Sequence, residues 1–174
     1  MKSYDLSSVS VLIVEQHPQM RTLLRQIMRQ FGVGNTFDAN DPETGFERFI
    51  GTSPDIVFID WTPEFDGLTL TKRIRAGEKS ANPWTAIIIC TAYTEKHHII
   101  EARDAGTTEF LAKPVSAKSI YSRIVSVIDD PRPFVRGGTF NGPDRRRKEI
   151  PYPGEERRGD WQPMNKSVEK KPAK

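Results

Sequence analysis

Short apolar runs that stop abruptly at a polar residue, each followed by apolar residues at helical spacing, constrain this chain more than any other feature. Val9-Ser10-Val11-Leu12-Ile13-Val14 is such a run, and Met20, Leu23, Leu24, Ile27, Met28 and Phe31 follow it at intervals of three and four. The first reads as a buried strand and the second as one face of an amphipathic helix. Asp55-Ile56-Val57-Phe58-Ile59-Asp60, Ala86-Ile87-Ile88-Ile89-Cys90-Thr91 and Glu109-Phe110-Leu111-Ala112 repeat the strand signal. Helical patterns follow them over residues 69–76, 96–105 and 116–128. Gly32 and Gly34 end the first helix, and residues 36–39 form a weaker strand. Pro42 then opens a helix whose apolar face is Phe46, Phe49 and Ile50. Five strands alternating with five helices predict an α/β fold with a parallel sheet covered on both faces. In such sheets, sites form beyond the carboxyl ends of the strands, near the switch in strand order.

The pattern stops at Asp130. Pro131, Pro133, Pro143, Pro151, Pro153 and Pro163, with Gly137, Gly138, Gly142, Gly154 and Gly159, leave no periodic segment beyond it. Charge divides at the same place. Residues 1–130 carry 14 Lys and Arg against 17 Asp and Glu, whereas residues 131–174 carry 12 against 6. Only 36% of the 174 residues are apolar, in keeping with a part of the chain lying outside any core. The expected organisation is one domain over 1–130, an arginine-rich segment over 131–162 that cannot bury a core alone, and a solvated basic terminus over 163–174. Cys90 is the one cysteine, so no intramolecular disulfide forms. The sequence holds no apolar run of membrane-spanning length and begins with polar residues, which predicts a soluble, cytoplasmic protein.

The strand ends bring particular chemistry together. The first strand stops at Glu15 and the third at Asp60, the fourth ends in Thr91, and Lys113-Pro114 follows the fifth. Two carboxylates with open positions suit Mg²⁺, which takes one or two carboxylates, phosphate oxygens and water. A lysine and a hydroxyl would neutralise and hydrogen-bond a phosphoryl group. Asp60 is placed as a carboxylate nucleophile that would form an acyl phosphate. The alternatives are a loop-capping role for Asp60 and a plain Glu15–Lys113 ion pair. His17, His97 and His98 are scattered, and adjacent residues on a helix face different ways, so no histidine metal site is expected. Cys90 reads as a small core residue.

These residues, with Asp66-Gly67 and Cys90-Thr91-Ala92, stand in the order and spacing of response-regulator receiver domains, which the chain resembles over residues 7–130. The resemblance implies a five-stranded (βα)5 flavodoxin-like fold with strand order 2-1-3-4-5, and a signalling protein rather than an enzyme. It also implies Asp60 as phosphoacceptor, Thr91 as switch hydroxyl, Lys113 as phosphate partner and Phe110 as the aromatic that moves with the switch. Glu15, Asp60 and the backbone carbonyl near Thr62 become magnesium ligands. Two departures weaken that metal site: Gln16 stands at the second acidic position, and the loop Trp61–Gly67 is one residue shorter than in chemotaxis receivers.

The segment after the domain interleaves arginines with aromatics and a few acids. Arginine forks hydrogen-bond phosphates and the O6/N7 edge of guanine, carboxylates accept from guanine donors, and Phe134, Phe140, Tyr152 and Trp161 offer stacking faces. Over residues 131–174 every arginine precedes Trp161, and four of the five lysines follow it. Arg132-x-x-x-Arg136 has the form of the RxxxR element of PilZ domains, and the whole resembles the Cle proteins, CheY-like effectors that bind cyclic di-GMP. That resemblance implies cyclic di-GMP as ligand and docking on the flagellar motor switch protein FliM, with recruitment to the flagellar pole. Arg132, Arg136, Asp144, Arg145, Arg146 and Arg147 are its favoured contacts, with Arg157, Arg158, Asp160 and Trp161 behind them. The alternatives are a phosphorelay receiver fed by a histidine kinase, with an incidental tail, and a nucleic-acid-binding protein. Six acids over residues 131–174 disfavour a polyanion.

Overall fold

The computed structural model describes residues 4–129, 131–137, 140–144 and 161–162. Strands β1 (Ser10–Val14), β2 (Asn35–Ala39), β3 (Ile56–Asp60), β4 (Ala86–Thr91) and β5 (Glu109–Ala112) form one parallel sheet in the order β2-β1-β3-β4-β5. Helices α1 (Pro18–Gln30), α2 (Pro42–Thr52), α3 (Gly67–Ala76), α4 (Lys96–Asp104) and α5 (Ala117–Asp129) connect and follow them. The expected fold class and strand order are those observed.

Alternation along each strand divides the core. Val11, Ile13, Ile56, Phe58 and Ile88 face Leu24, Ile27 and Met28 of α1 and Ile120 and Ile124 of α5. Leu12, Val14, Val57, Ile59 and Ile89 face Phe46 and Phe49 of α2, Leu70 and Ile74 of α3 and Ala102 of α4. Helix starts follow local chemistry. Asp41 caps α2, accepting from the Thr44 amide at 2.8 Å, with Pro42 next in line. Asp66 caps α3, accepting from the Thr69 amide at 2.9 Å and its hydroxyl at 2.6 Å. Gly67 then lets α3 start hard against β3, since a Cβ there would sit 2.1 Å from the Asp60 carbonyl oxygen. Among the described residues no helix is long and apolar enough to cross a membrane.

Beyond Asp130 the structure departs from what periodicity predicted. Strands β6 (Phe134–Gly137) and β7 (Phe140–Pro143) pair antiparallel, and β8 (Trp161–Gln162) pairs with the other edge of β6. These strands are too short and too rich in Gly and Pro to signal themselves, and the hairpin is held instead by α3 and by the turns before β4 and β5. Phe134 is 2% exposed, with its ring 6.5 Å from Trp84 and 5.5 Å from the Arg75 guanidinium. Arg75, itself buried on α3, spends its guanidinium on the carbonyls of Gly106, Pro83 and Thr85 at 2.6–2.8 Å and on the Thr108 hydroxyl at 3.1 Å. With no carboxylate in that set, burial pulls its pKa down to about 9. Asn141 of β7 donates to the Arg75 carbonyl, and Arg132 donates to the Thr108 carbonyl. Gly106, at φ +96°, lies under this contact, where a Cβ would meet the Arg75 side chain at 2.9 Å and the Asn141 carbonyl at 3.0 Å.

Phe134 is therefore part of the receiver's core. Phe134→Ala is expected to lower the unfolding free energy by about 3 kcal/mol in urea titration of the full chain, the usual cost of emptying a buried aromatic site. A loss below about 0.5 kcal/mol, the scale of a surface substitution, would show the hairpin undocked in solution.

Candidate functional site

At the carboxyl edge of the sheet, β1 and β3 run side by side, so Glu15 and Asp60 emerge next to each other, both 1% exposed. Lys113, arriving after β5, bridges them: its Nζ donates to Glu15 Oε2 at 2.9 Å and to Asp60 Oδ1 at 2.7 Å. The Lys113 amide donates to the Thr91 carbonyl at 2.8 Å, which fixes the turn that delivers the amine, and the Lys113–Pro114 peptide is cis. Arg21 on α1 secures the other side, donating to the Glu15 carbonyl at 2.7 Å and the Gln16 carbonyl at 3.2 Å while pairing with Asp38.

The two carboxylates titrate apart. Burial pushes the Glu15 carboxyl up, but the His17 amide, at 2.9 Å from Oε1, and the Lys113 ammonium outweigh it and hold the group below the usual Glu value. Asp60 lies above the usual Asp value because burial, reinforced by the Glu15 charge, exceeds what Lys113 returns. Burial alone would lower Lys113, yet its bonds to both carboxylates keep its pKa raised. Asp60 Oδ2 is buried without a hydrogen-bond partner. A buried oxygen left open in this way costs free energy unless a ligand completes it. Glu15 Oε1 and Asp60 Oδ2 are hard oxygen donors facing one cleft, so the residues fit a divalent cation.

The remaining expected site residues are placed as follows. Thr91 is fully buried at the end of β4, its hydroxyl accepting from the Tyr93 amide at 3.1 Å. Phe110 is half-buried on β5 against the α2–α4 side of the core. Thr62 exchanges both backbone hydrogen bonds with Phe65, at 3.1 and 3.2 Å, so the short loop already engages the carbonyl expected to serve a metal. Gln16 donates from Nε2 to the Thr62 hydroxyl at 3.2 Å, tying the two departures from the receiver pattern to each other.

Of the arginine-rich segment, Arg132 is 12% exposed at its side chain and pairs with Glu109 at 3.4 Å, whereas Arg136 is exposed. Glu109 also accepts from Arg123 and Ser126 of α5, at 3.3 and 3.1 Å. Asp144 is half-buried, its amide donating to the Pro133 carbonyl at 2.7 Å. Arg145, Arg146, Arg147, Arg157, Arg158 and Asp160 lie outside the described residues, as does the Trp161 side chain.

The histidines correct the sequence reading. His17 lies beside the acid pair, its Nδ1 2.9 Å from Glu15 Oε1. The His97 and His98 rings, expected to diverge, are 3.9 Å apart, and His98 packs on Tyr93 at 4.6 Å and Trp61 at 5.3 Å. Neighbouring residues near the start of a helix turned their rings toward one shared aromatic cluster, which spacing along one helix does not reveal. Arg21 and Arg75 were also missed, because an arginine in a helical pattern reads as a solvated charge.

The comparisons with known proteins agree with this geometry. A family model described as the response regulator receiver domain matches residues 11–125. Chemotaxis protein CheY-3 of Vibrio cholerae is 28% identical over 123 residues, covering 70% of this chain and 93% of its own. Chemotaxis protein CheY of Bacillus subtilis is 31% identical over 115 residues, covering 66% of this chain and 92% of its own. The solved structure of Vibrio cholerae chemotaxis protein CheY4 superposes with a TM-score of 0.62 over 68% of this chain and 98% of that one, a likeness of fold at 20% identity. From the strand order, the acid–lysine site and the family model together, this chain belongs to the response regulator receiver domain family.

Proposed function

We propose that this CheY-like signalling receiver takes a phosphoryl group on Asp60, and that its arginine-rich segment binds cyclic di-GMP and so controls docking on a protein partner. The observation that carries the first part is the Asp60 carboxylate: buried, held through Oδ1 by Lys113, and open at Oδ2. In the transfer, one Asp60 oxygen forms the new bond to phosphorus as the bond to the donor breaks, either the imidazole nitrogen of a histidine kinase or the acetate of acetyl phosphate. A divalent cation such as Mg²⁺ at Glu15 and Asp60 would neutralise charge on the phosphoryl oxygens. Lys113 keeps one face of the site positive throughout. Thr91, buried one residue beyond Cys90, the strand partner of Asp60, supplies the hydroxyl that answers the new phosphoryl group. Phe110, half-buried on β5, follows it.

The second part is supported by the segregation of arginines before Trp161 and by the seat of the hairpin on the receiver. Arg132 holds that seat, while Arg136 and, by sequence, Asp144, Arg145, Arg146 and Arg147 are the contacts for guanine and phosphate, with Arg157, Arg158, Asp160 and Trp161 behind them. A partner chosen by resemblance is the flagellar motor switch protein FliM, in line with two relatives named as chemotaxis proteins.

Two outcomes are expected. Acetyl phosphate with Mg²⁺ should add the mass of one phosphoryl group to the full chain and none to Asp60→Asn, whereas an unmodified wild type would rule out the phosphoacceptor. The same variant should raise the thermal midpoint by a few degrees, on the order of 1 kcal/mol, because it removes one of two buried like charges. Asp60 has a raised pKa, so its penalty exists only while it is ionised. The gain from Asp60→Asn is therefore largest at neutral pH and fades as pH falls through that raised value. For the segment, calorimetric titration of cyclic di-GMP should show binding that Arg136→Ala weakens by roughly tenfold, the loss of about one charged hydrogen bond. No heat with the wild type would sink the nucleotide reading and leave the phosphoacceptor standing.

A further inference from the structure

We infer that the Asp60 site takes a transition-metal cation of the Zn²⁺ type through His17 together with Glu15 and Asp60, an inference that rests on reading this site as a cation-dependent phosphoacceptor. Ligand atoms of the three residues lie within 4.8 Å of one another. Each carboxylate divides its oxygens. Lys113 occupies Glu15 Oε2 and Asp60 Oδ1, leaving Glu15 Oε1 and Asp60 Oδ2 on the other side. His17 sits on that other side: its amide and its Nδ1 are both 2.9 Å from Glu15 Oε1. Asp60 Oδ2, buried and without a partner, is the independent sign that a ligand belongs there.

The donor set selects the ion. Mg²⁺ holds to octahedral oxygen coordination, and the side chain next to Glu15 is the neutral Gln16, spent on the Thr62 hydroxyl, so the nearest further donor is an imidazole nitrogen and not an oxygen. Two carboxylate oxygens and one imidazole nitrogen are instead a set of three protein ligands with an open fourth position, which suits Zn²⁺. The cation takes the place of the direct Nδ1–Oε1 contact, which the two atoms then make through the ion. Lys113 need not leave, since the cation uses the oxygens it does not touch. The His17 side chain is 60% exposed, so solvent reaches the site from its side and an ion can enter by small rotations of the imidazole.

The test is calorimetric titration of Zn²⁺ and of Mg²⁺ into the full chain, in a His97→Ala/His98→Ala background that removes the other imidazole pair. His17→Ala in that background should weaken Zn²⁺ by roughly tenfold or more, as expected for a lost first-row ligand, and leave Mg²⁺ within about twofold. Asp60→Asn should weaken both. Equal weakening of the two ions by His17→Ala, or no effect on Zn²⁺, overturns the inference while Mg²⁺ binding keeps the phosphoacceptor reading alive. Absence of any binding sensitive to Asp60→Asn overturns both together. Because the His17 side chain is 60% exposed, His17→Ala is a surface substitution expected to keep the fold, so each outcome reads on the metal.

Discussion

Two carboxylates side by side at the buried end of a parallel sheet repel each other in a medium that screens poorly, and burial disfavours the charge on each. Lys113 resolves this by placing one ammonium between Glu15 and Asp60, at 2.9 and 2.7 Å. Much of the receiver is arranged to keep that triangle closed. β1 and β3 are adjacent, so the two acids leave the sheet together. Arg21 pins the carbonyls on either side of the β1–α1 turn, and the missing Cβ of Gly67 brings the start of α3 against the Asp60 backbone. The compensation is incomplete, since Asp60 remains above its ordinary pKa with one oxygen open. The residual cost sits at Asp60, the acid that Lys113 reaches through one oxygen and leaves open at the other.

The opposite end of the sheet is organised around a second buried cation. Arg75 has no acid to neutralise it and relies on three carbonyls and a hydroxyl, whose dipoles converge from the turns before β4 and β5. Burying such a group costs free energy, which its hydrogen bonds and an aromatic ring over the guanidinium offset. Phe134 does the covering. The segment after α5 thus supplies a side chain on which the receiver's own polar network depends. Glu109 joins the two by accepting from Arg123 and Ser126 of α5 and from Arg132 of the segment.

The receiver fold was legible because its strands are nearly pure β-branched runs ended by chemistry-bearing residues. β4 matches its expected bounds, and β1 and β3 begin one residue later than the apolar run suggests. The α3 start was read two residues late, since Gly67 is a poor helix former and only its tertiary contact explains its place. Glu15, Asp60, Thr91 and Lys113 were legible as strand-end residues, whereas His17 was not, because its relation to Asp60 exists only after β1 and β3 pair. The hairpin was invisible for a related reason. Val135 and Phe140 carry little pattern over four-residue strands, and the stability of the hairpin comes from Arg75, Trp84 and Gly106, far away in sequence.

The pair Arg132 and Arg136 shows how the hairpin converts one motif into two roles. Alternation puts Phe134 and Arg136 on the same face of β6. At Phe134 that face meets the receiver and is buried, and two residues later it has run past the receiver's edge and Arg136 is exposed. Arg132, on the other side of Phe134, turns back to Glu109 and the Thr108 carbonyl. The described part of the segment thus meets the receiver at the amino end of the sheet, where Glu109 opens β5, whereas Asp60 ends β3 at the carboxyl end. β5 spans the two ends: Glu109 at its start pairs with Arg132 of the segment, and Lys113, the residue after its end, closes the acid site.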